Sequence, residues 1–80
     1  MSETLNKLYE ILLKIEPGTK VKLEDLKPET NIKNDLGLNS IGFLYLVIGV
    51  EKEFCISMRD VDLNELRTLG QVVAYIEENA

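Results

Sequence analysis

Within Thr30-Asn-Ile-Lys-Asn-Asp-Leu-Gly-Leu-Asn-Ser-Ile-Gly-Phe43, a serine, Ser40, stands where a long loop turns into an apolar helix. A hydroxyl at that point faces solvent near the positive end of the helix dipole, which is a place for a phosphate. Just upstream, Gly37 can supply a tight or left-handed turn, while Leu36 and Leu38 can fix the loop against the body of the protein. Nothing in the chain can activate the hydroxyl in the usual way. There is no His, so neither a Ser-His nor a Cys-His pair can be assembled, and proton transfer would fall to carboxylates, Lys or Tyr. The competing reading of Ser40 is an N-cap, because Ser and Asn are both favoured there. For Asn39 the competing reading is turn chemistry, since Asn tolerates left-handed backbone.

The composition narrows what such a serine can serve. The chain has 80 residues, nine Lys+Arg, fourteen Asp+Glu, a net charge of -5, one Cys and no Trp. That length predicts a single domain over residues 1–80, with a thin core and little room for an enclosed active site, since folding at this size buries only about 60 to 65% of the chain's surface. No catalytic residue and no metal site is expected. A zinc site built from N and S ligands needs about four, and Cys55 is the only candidate, while no calcium loop of the Asp-x-Asp-x-Asn-Gly type occurs. Residues 1–39 hold seven acids and six bases and residues 40–80 seven acids and three bases, so the acidity lies in the second half. Nucleic acid is therefore a poor partner and a positively charged protein surface a natural one. No apolar run is long enough to span a bilayer, and the opening Met1-Ser-Glu-Thr-Leu-Asn-Lys7 is unlike a signal peptide. With one unpaired cysteine, these features predict a cytoplasmic, monomeric chain.

The elements that must position Ser40 follow from periodicity. Leu5, Leu8, Ile11, Leu12 and Ile15 recur at spacings of three and four and predict a helix over Thr4 to Ile15, stopped by Glu16-Pro17-Gly18. A long connection to Asn39 follows, pinned to the core by Val21, Leu23, Leu26, Ile32, Leu36 and Leu38. Phe43, Leu46, Val47, Val50 and Phe54 fall on one face of a helix over Ser40 to Phe54. Asp60 to Leu66 is expected to form a short helix, and Thr68-Leu-Gly-Gln71 offers a capping box for a final helix carrying Leu69, Val72, Val73 and Ile76 inward. The fold class is all-α: a four-helix bundle, three long and one short, with a long loop between helices one and two.

Three elements in this order resemble the carrier protein family, the acyl, peptidyl and D-alanyl carriers that bear a 4'-phosphopantetheine arm. They are Asp35-Leu-Gly-Leu-Asn-Ser-Ile41, Phe54-Cys-Ile56 and Thr68-Leu-Gly-Gln-Val-Val-Ala-Tyr-Ile76. The resemblance runs from about Thr30 to the C-terminus, and the spacing fits without gaps. It implies that Ser40, flanked by Asn39 and Ile41, receives phosphopantetheine from coenzyme A through a separate phosphopantetheinyl transferase. The arm's thiol, not a protein group, then carries acyl cargo to loading and processing enzymes. The family most often has Asp where Asn39 stands, which bears on which transferase accepts the chain. Ser-Ile-Gly is also similar to the Ser-Phe-Gly of D-alanyl carriers, although the C-terminal Thr-Leu-Gly fits them less well.

A second apolar set on the Ser40 helix lies opposite its core stripe. Ile41, Tyr45 and Ile48, followed by Lys52, are expected to be exposed and to form a contact surface. Fatty acid carriers commonly have acids flanking the serine on this helix, whereas Gly42 and Tyr45 stand here, which favours a specialised carrier over a general one. Gly42 and Gly49 each cost about 0.5 to 1 kcal/mol inside a helix. Their place at the edge of this face predicts close approach by a partner or the arm, the alternative being tight packing within the chain. Cys55 is expected to be a small, partly buried side chain, and Glu51 and Glu53 a solvated helix end. From a different class of function, an unmodified carrier-like bundle would act as a scaffold subunit.

Overall fold

A computed structural model of the chain describes residues 2–79. It contains three α-helices, α1 (Ser2–Ile15), α2 (Ser40–Phe54) and α3 (Leu69–Asn79), with single 3-10 turns at Leu23–Asp25 and Leu63–Glu65. Among the described residues there is no strand, only an isolated antiparallel bridge between Asn31 and Thr68. The short helix expected over Asp60 to Leu66 is one 3-10 turn, so the expected count of four helices is three. Asp62 begins that turn by accepting a hydrogen bond from the Asn64 amide at 3.0 Å, and Leu66 ends it in extended backbone. Val61, Leu63 and Leu66 still pack against the core.

Each helix buries the stripe its periodicity marks. Leu8, Ile11 and Leu12 of α1 share one buried core with Phe43, Leu46, Val47 and Val50 of α2 and Leu69, Val72, Val73 and Ile76 of α3. Leu26, Ile32, Leu36, Leu38 and Met58 close the core from the connections, whereas Leu23 is exposed. Lys7 at the edge of α1 sets its ammonium over the Phe54 ring, 5.5 Å from the centroid.

The segment from residue 16 to residue 39 is held at many points. The Tyr9 hydroxyl of α1 donates to the Val21 carbonyl at 2.8 Å. At its far end the segment is laced to the start of α3: Ile32 N–H donates to Arg67 O, Leu69 N–H to Thr30 O and Gly70 N–H to Pro28 O, all within 3.0 Å. The capping box forms as its residues require, with Thr68 N–H donating to Gln71 Oε1 at 3.1 Å and Gln71 N–H to Thr68 Oγ at 3.4 Å.

Two expectations at the end of α2 are corrected. Cys55 is exposed, and it ends the helix in the left-handed region at φ 56°, with its N–H donating to Glu51 O. Glu51 is not simply solvated: it is half-buried, and its carboxylate accepts the Met58 amide at 2.8 Å, tying the chain after α2 back onto the helix.

The close approach expected at Gly49 is made from within the chain. A Cβ on Gly49 would lie 2.7 Å from Ile11 Cγ2, so the Ile11 side chain of α1 occupies the space this glycine leaves on α2. Ile11 is β-branched and stiff at χ1, so it yields poorly. Overpacking of about 1 to 3 kcal/mol opposes a helix-propensity gain of about 1 kcal/mol. Gly49→Ala should therefore lose roughly 0 to 2 kcal/mol in the native background and become stabilising beside Ile11→Leu, which lacks the second γ carbon. Denaturant unfolding of the two single variants and the double variant checks this; additive effects would mean that the two positions do not constrain one another.

Candidate functional site

The loop that delivers Ser40 is built from its own polar side chains. Asn31 Oδ1 accepts from the amides of Lys33 at 3.0 Å and Asn34 at 2.8 Å, making an Asx turn. Asp35 closes the same turn, its carboxylate accepting from Asn31 N–H at 2.7 Å while its own N–H donates to Asn31 O at 2.9 Å. Leu36 and Leu38 are buried on either side of Gly37, which sits at φ +72°. A left-handed residue between two plugs turns the chain outward and leaves Asn39 and Ser40 exposed at the head of α2.

The N-cap of α2 is Asn39, not Ser40. Asn39 Oδ1 accepts the Gly42 amide at 2.8 Å and Asn39 O accepts the Phe43 amide at 2.8 Å. Ser40 is thus the first helical residue, and its hydroxyl has no hydrogen-bond partner among the described residues. The amides of the first helical turn lack intrahelical acceptors, and α2 carries no acid in that turn to neutralise its positive end. With the Gly42 and Phe43 amides taken by Asn39, the result is a free primary hydroxyl beside the two remaining first-turn donors, the Ser40 and Ile41 amides, an arrangement suited to an anionic phosphodiester. Its chemistry fits 4'-phosphopantetheine, which joins a protein through one hydroxyl oxygen and needs no pocket at the junction.

Asn39→Ala should cost about 1 kcal/mol, the usual value for losing an N-cap side chain. Asn39→Asp keeps the acceptor and should hold or slightly raise stability. Denaturant midpoints read both effects, and faster exchange of the Gly42 amide should accompany the loss in the Ala variant. Equal midpoints for all three proteins would remove the cap from the account.

The outward row is where spacing put it, with one residue more. Ile41, Tyr45 and Ile48 are exposed, Ile41 and Tyr45 by 65% and 58%, and Leu44, which the wheel did not single out, is exposed by 50%. Gly42 departs from the expectation that it joins this face. It is buried, and a Cβ there would meet Leu38 Cδ2 at 3.2 Å and Asn39 Oδ1 at 3.4 Å, so its smallness serves the cap and the loop plug. Tyr45, Ile48, Gly49 and Lys52 come together along an open groove of about 580 Å³ between α2 and α1.

Asp35 is the residue whose structural part spacing did not reveal. Its place four residues after Asn31, one turn on and within reach of the Asn31 amide, is the local signal that could have found it.

Comparison with known proteins gives the chain's relatives. The family model described as the phosphopantetheine attachment site matches residues 6–76. The chain is 32% identical over 79 residues to the acyl carrier protein of Porphyromonas gingivalis, in each of two strains, covering 99% of this chain and 97% of that one. It is 36% identical over 61 residues to the "Putative acyl carrier protein, mitochondrial" of Schizosaccharomyces pombe, covering 72% of this chain and 54% of the other.

Proposed function

The chain belongs to the acyl carrier protein family, and on that premise we propose that Ser40 is the residue that receives 4'-phosphopantetheine. Proteins of this family are non-catalytic and carry that group covalently. The observation that carries the assignment is the division of labour at the head of α2: Asn39 caps the helix and leaves the Ser40 hydroxyl unused and exposed. Asn39 and Ile41 flank the attachment point, and Ile41 is open to solvent.

In the reaction, a phosphopantetheinyl transferase with magnesium directs the Ser40 oxygen at the pyrophosphate of coenzyme A. A new P–O bond forms, the bond to 3',5'-ADP breaks, and the hydroxyl proton is lost to the transferase. Once attached, the arm supplies a thiol that holds acyl, aminoacyl, peptidyl or polyketide cargo as a thioester. The chain's own residues present that arm: the Asn31–Asp35 turn and the Leu36 and Leu38 plugs fix its origin, and the α2 face meets the enzymes that load and process cargo.

We read the protein as a specialised, monomeric carrier acting in the cytoplasm, not a general fatty acid carrier. What supports specialisation is the apolar, acid-free outward row of Ile41, Leu44, Tyr45 and Ile48. An exposed unpaired Cys55 fits a reducing compartment. No helix among the described residues is long and apolar enough to cross a membrane.

The test is to incubate the purified protein with coenzyme A, magnesium and a promiscuous transferase, weigh it intact and sequence the modified peptide. One phosphopantetheine on Ser40 is expected. An unchanged mass would leave the scaffold reading in its place.

A further inference from the structure

We propose that the groove between α1 and α2 docks an amphipathic helix of a partner protein, and that this helix carries an acidic end seated against Lys14 and Lys52. The proposal rests on the reading of the α2 face as a partner surface and names the chemistry of that partner.

The groove has an apolar floor and charged walls. Ile11, Ile15 and Gly49 are buried or half-buried at its base, while Tyr45 and Ile48 stand exposed beside them. Its volume is about 580 Å³, open to solvent. Through Tyr45 and Ile48 it is continuous with Ile41 and Leu44, so the exposed positions of α2 follow the i, i+3, i+4, i+7 pattern. That pattern extends about 10 Å along a helix axis, and it is the spacing by which one amphipathic helix reads another in a groove.

Charge specifies the rest. Lys14 and Lys52 line the groove from opposite helices, both are exposed, and neither makes an ion pair among the described residues. Lys7, one turn before Ile11 on the same side of α1, is already engaged over Phe54. The chain carries a net charge of -5 and only three bases after residue 39, so two unpaired ammonium groups beside an apolar floor run against its overall sign. They complement carboxylates on the incoming helix. Glu53 lines the same groove and repels an acid placed further along α2, so the complement is a short acidic end, not an acidic run. A second copy of the chain would bring the same net charge, which opposes self-association.

Two labelled helical peptides with an identical apolar stripe test this, one ending in a pair of glutamates and the other in a pair of lysines. At low salt the acidic peptide should bind roughly tenfold more tightly, and Lys14→Glu with Lys52→Glu should reverse the preference. Amide shifts on binding should centre on Ile11, Ile15, Ile48 and Gly49. Both results should persist in Ser40→Ala, so failure of the attachment reading and failure of this one are read separately. Equal affinities, shifts centred elsewhere, dodecanoate binding the groove more tightly than either peptide, or a dimer formed through these amides would overturn the proposal.

Discussion

Ser40→Ala is expected to abolish loading completely while leaving the fold and its stability unchanged. The side chain it removes is exposed and holds no partner among the described residues. The bond that starts α2 belongs to Asn39, whose Oδ1 accepts the Gly42 amide at 2.8 Å and does not involve the mutated atom. Alanine is the most favourable residue in a helix, so the stability change should fall within about 0.5 kcal/mol of zero. The alternative, that Ser40 matters as a cap, predicts a loss of about 1 kcal/mol instead. Intact mass after treatment with coenzyme A and transferase reads the first part, and the urea midpoint reads the second. A variant that still gains the arm would end the assignment of Ser40. A variant that unfolds earlier by the cap's share would return the hydroxyl to a structural part.

The parts of this molecule that were legible in its sequence are those decided by neighbours along the chain. The bounds of α2 at Ser40 and Phe54 follow from an apolar stripe at helical spacing, and the Thr68–Gln71 box follows from two side chains that answer each other's amides. The approach to Ser40 was legible for the same reason, since the Gly37 turn, the Leu36 and Leu38 plugs and the helix start lie within one short segment. What escaped depends on which distant residue arrives. Periodicity places Gly49 on the rim of the outward face, but only packing reveals that Ile11 fills the space its missing side chain leaves. The same limit hid the Met58 amide that holds Glu51. Asp60 to Leu66 has apolar residues to bury yet too few local bonds to continue past one 3-10 turn, so tertiary contact, not helix propensity, sets its shape.

One of those distant contacts also carries a large sensitivity. Ile32 is 1% exposed in the middle of the connection before α2. Its N–H donates to Arg67 O at 2.9 Å, beside the Asn31–Thr68 bridge and the Leu69-to-Thr30 bond. Removing its side chain leaves a cavity at the seam between the loop that presents Ser40 and the start of α3. Ile32→Ala should cost about 2 to 5 kcal/mol and Ile32→Val about 0.5 to 1.5. Against the total of about 5 to 15 kcal/mol usual for a domain, the larger loss brings a thin-cored chain of this size near its folding threshold. Because the two segments share backbone hydrogen bonds, they should loosen together. Hydrogen exchange at Ile32 and Leu36 in the loop should rise in step with that at Leu69 and Gly70, graded from native through Val to Ala. If the loop amides opened alone while Leu69 and Gly70 kept native protection, Ile32 would be a local plug, and the seam would not be one cooperative unit.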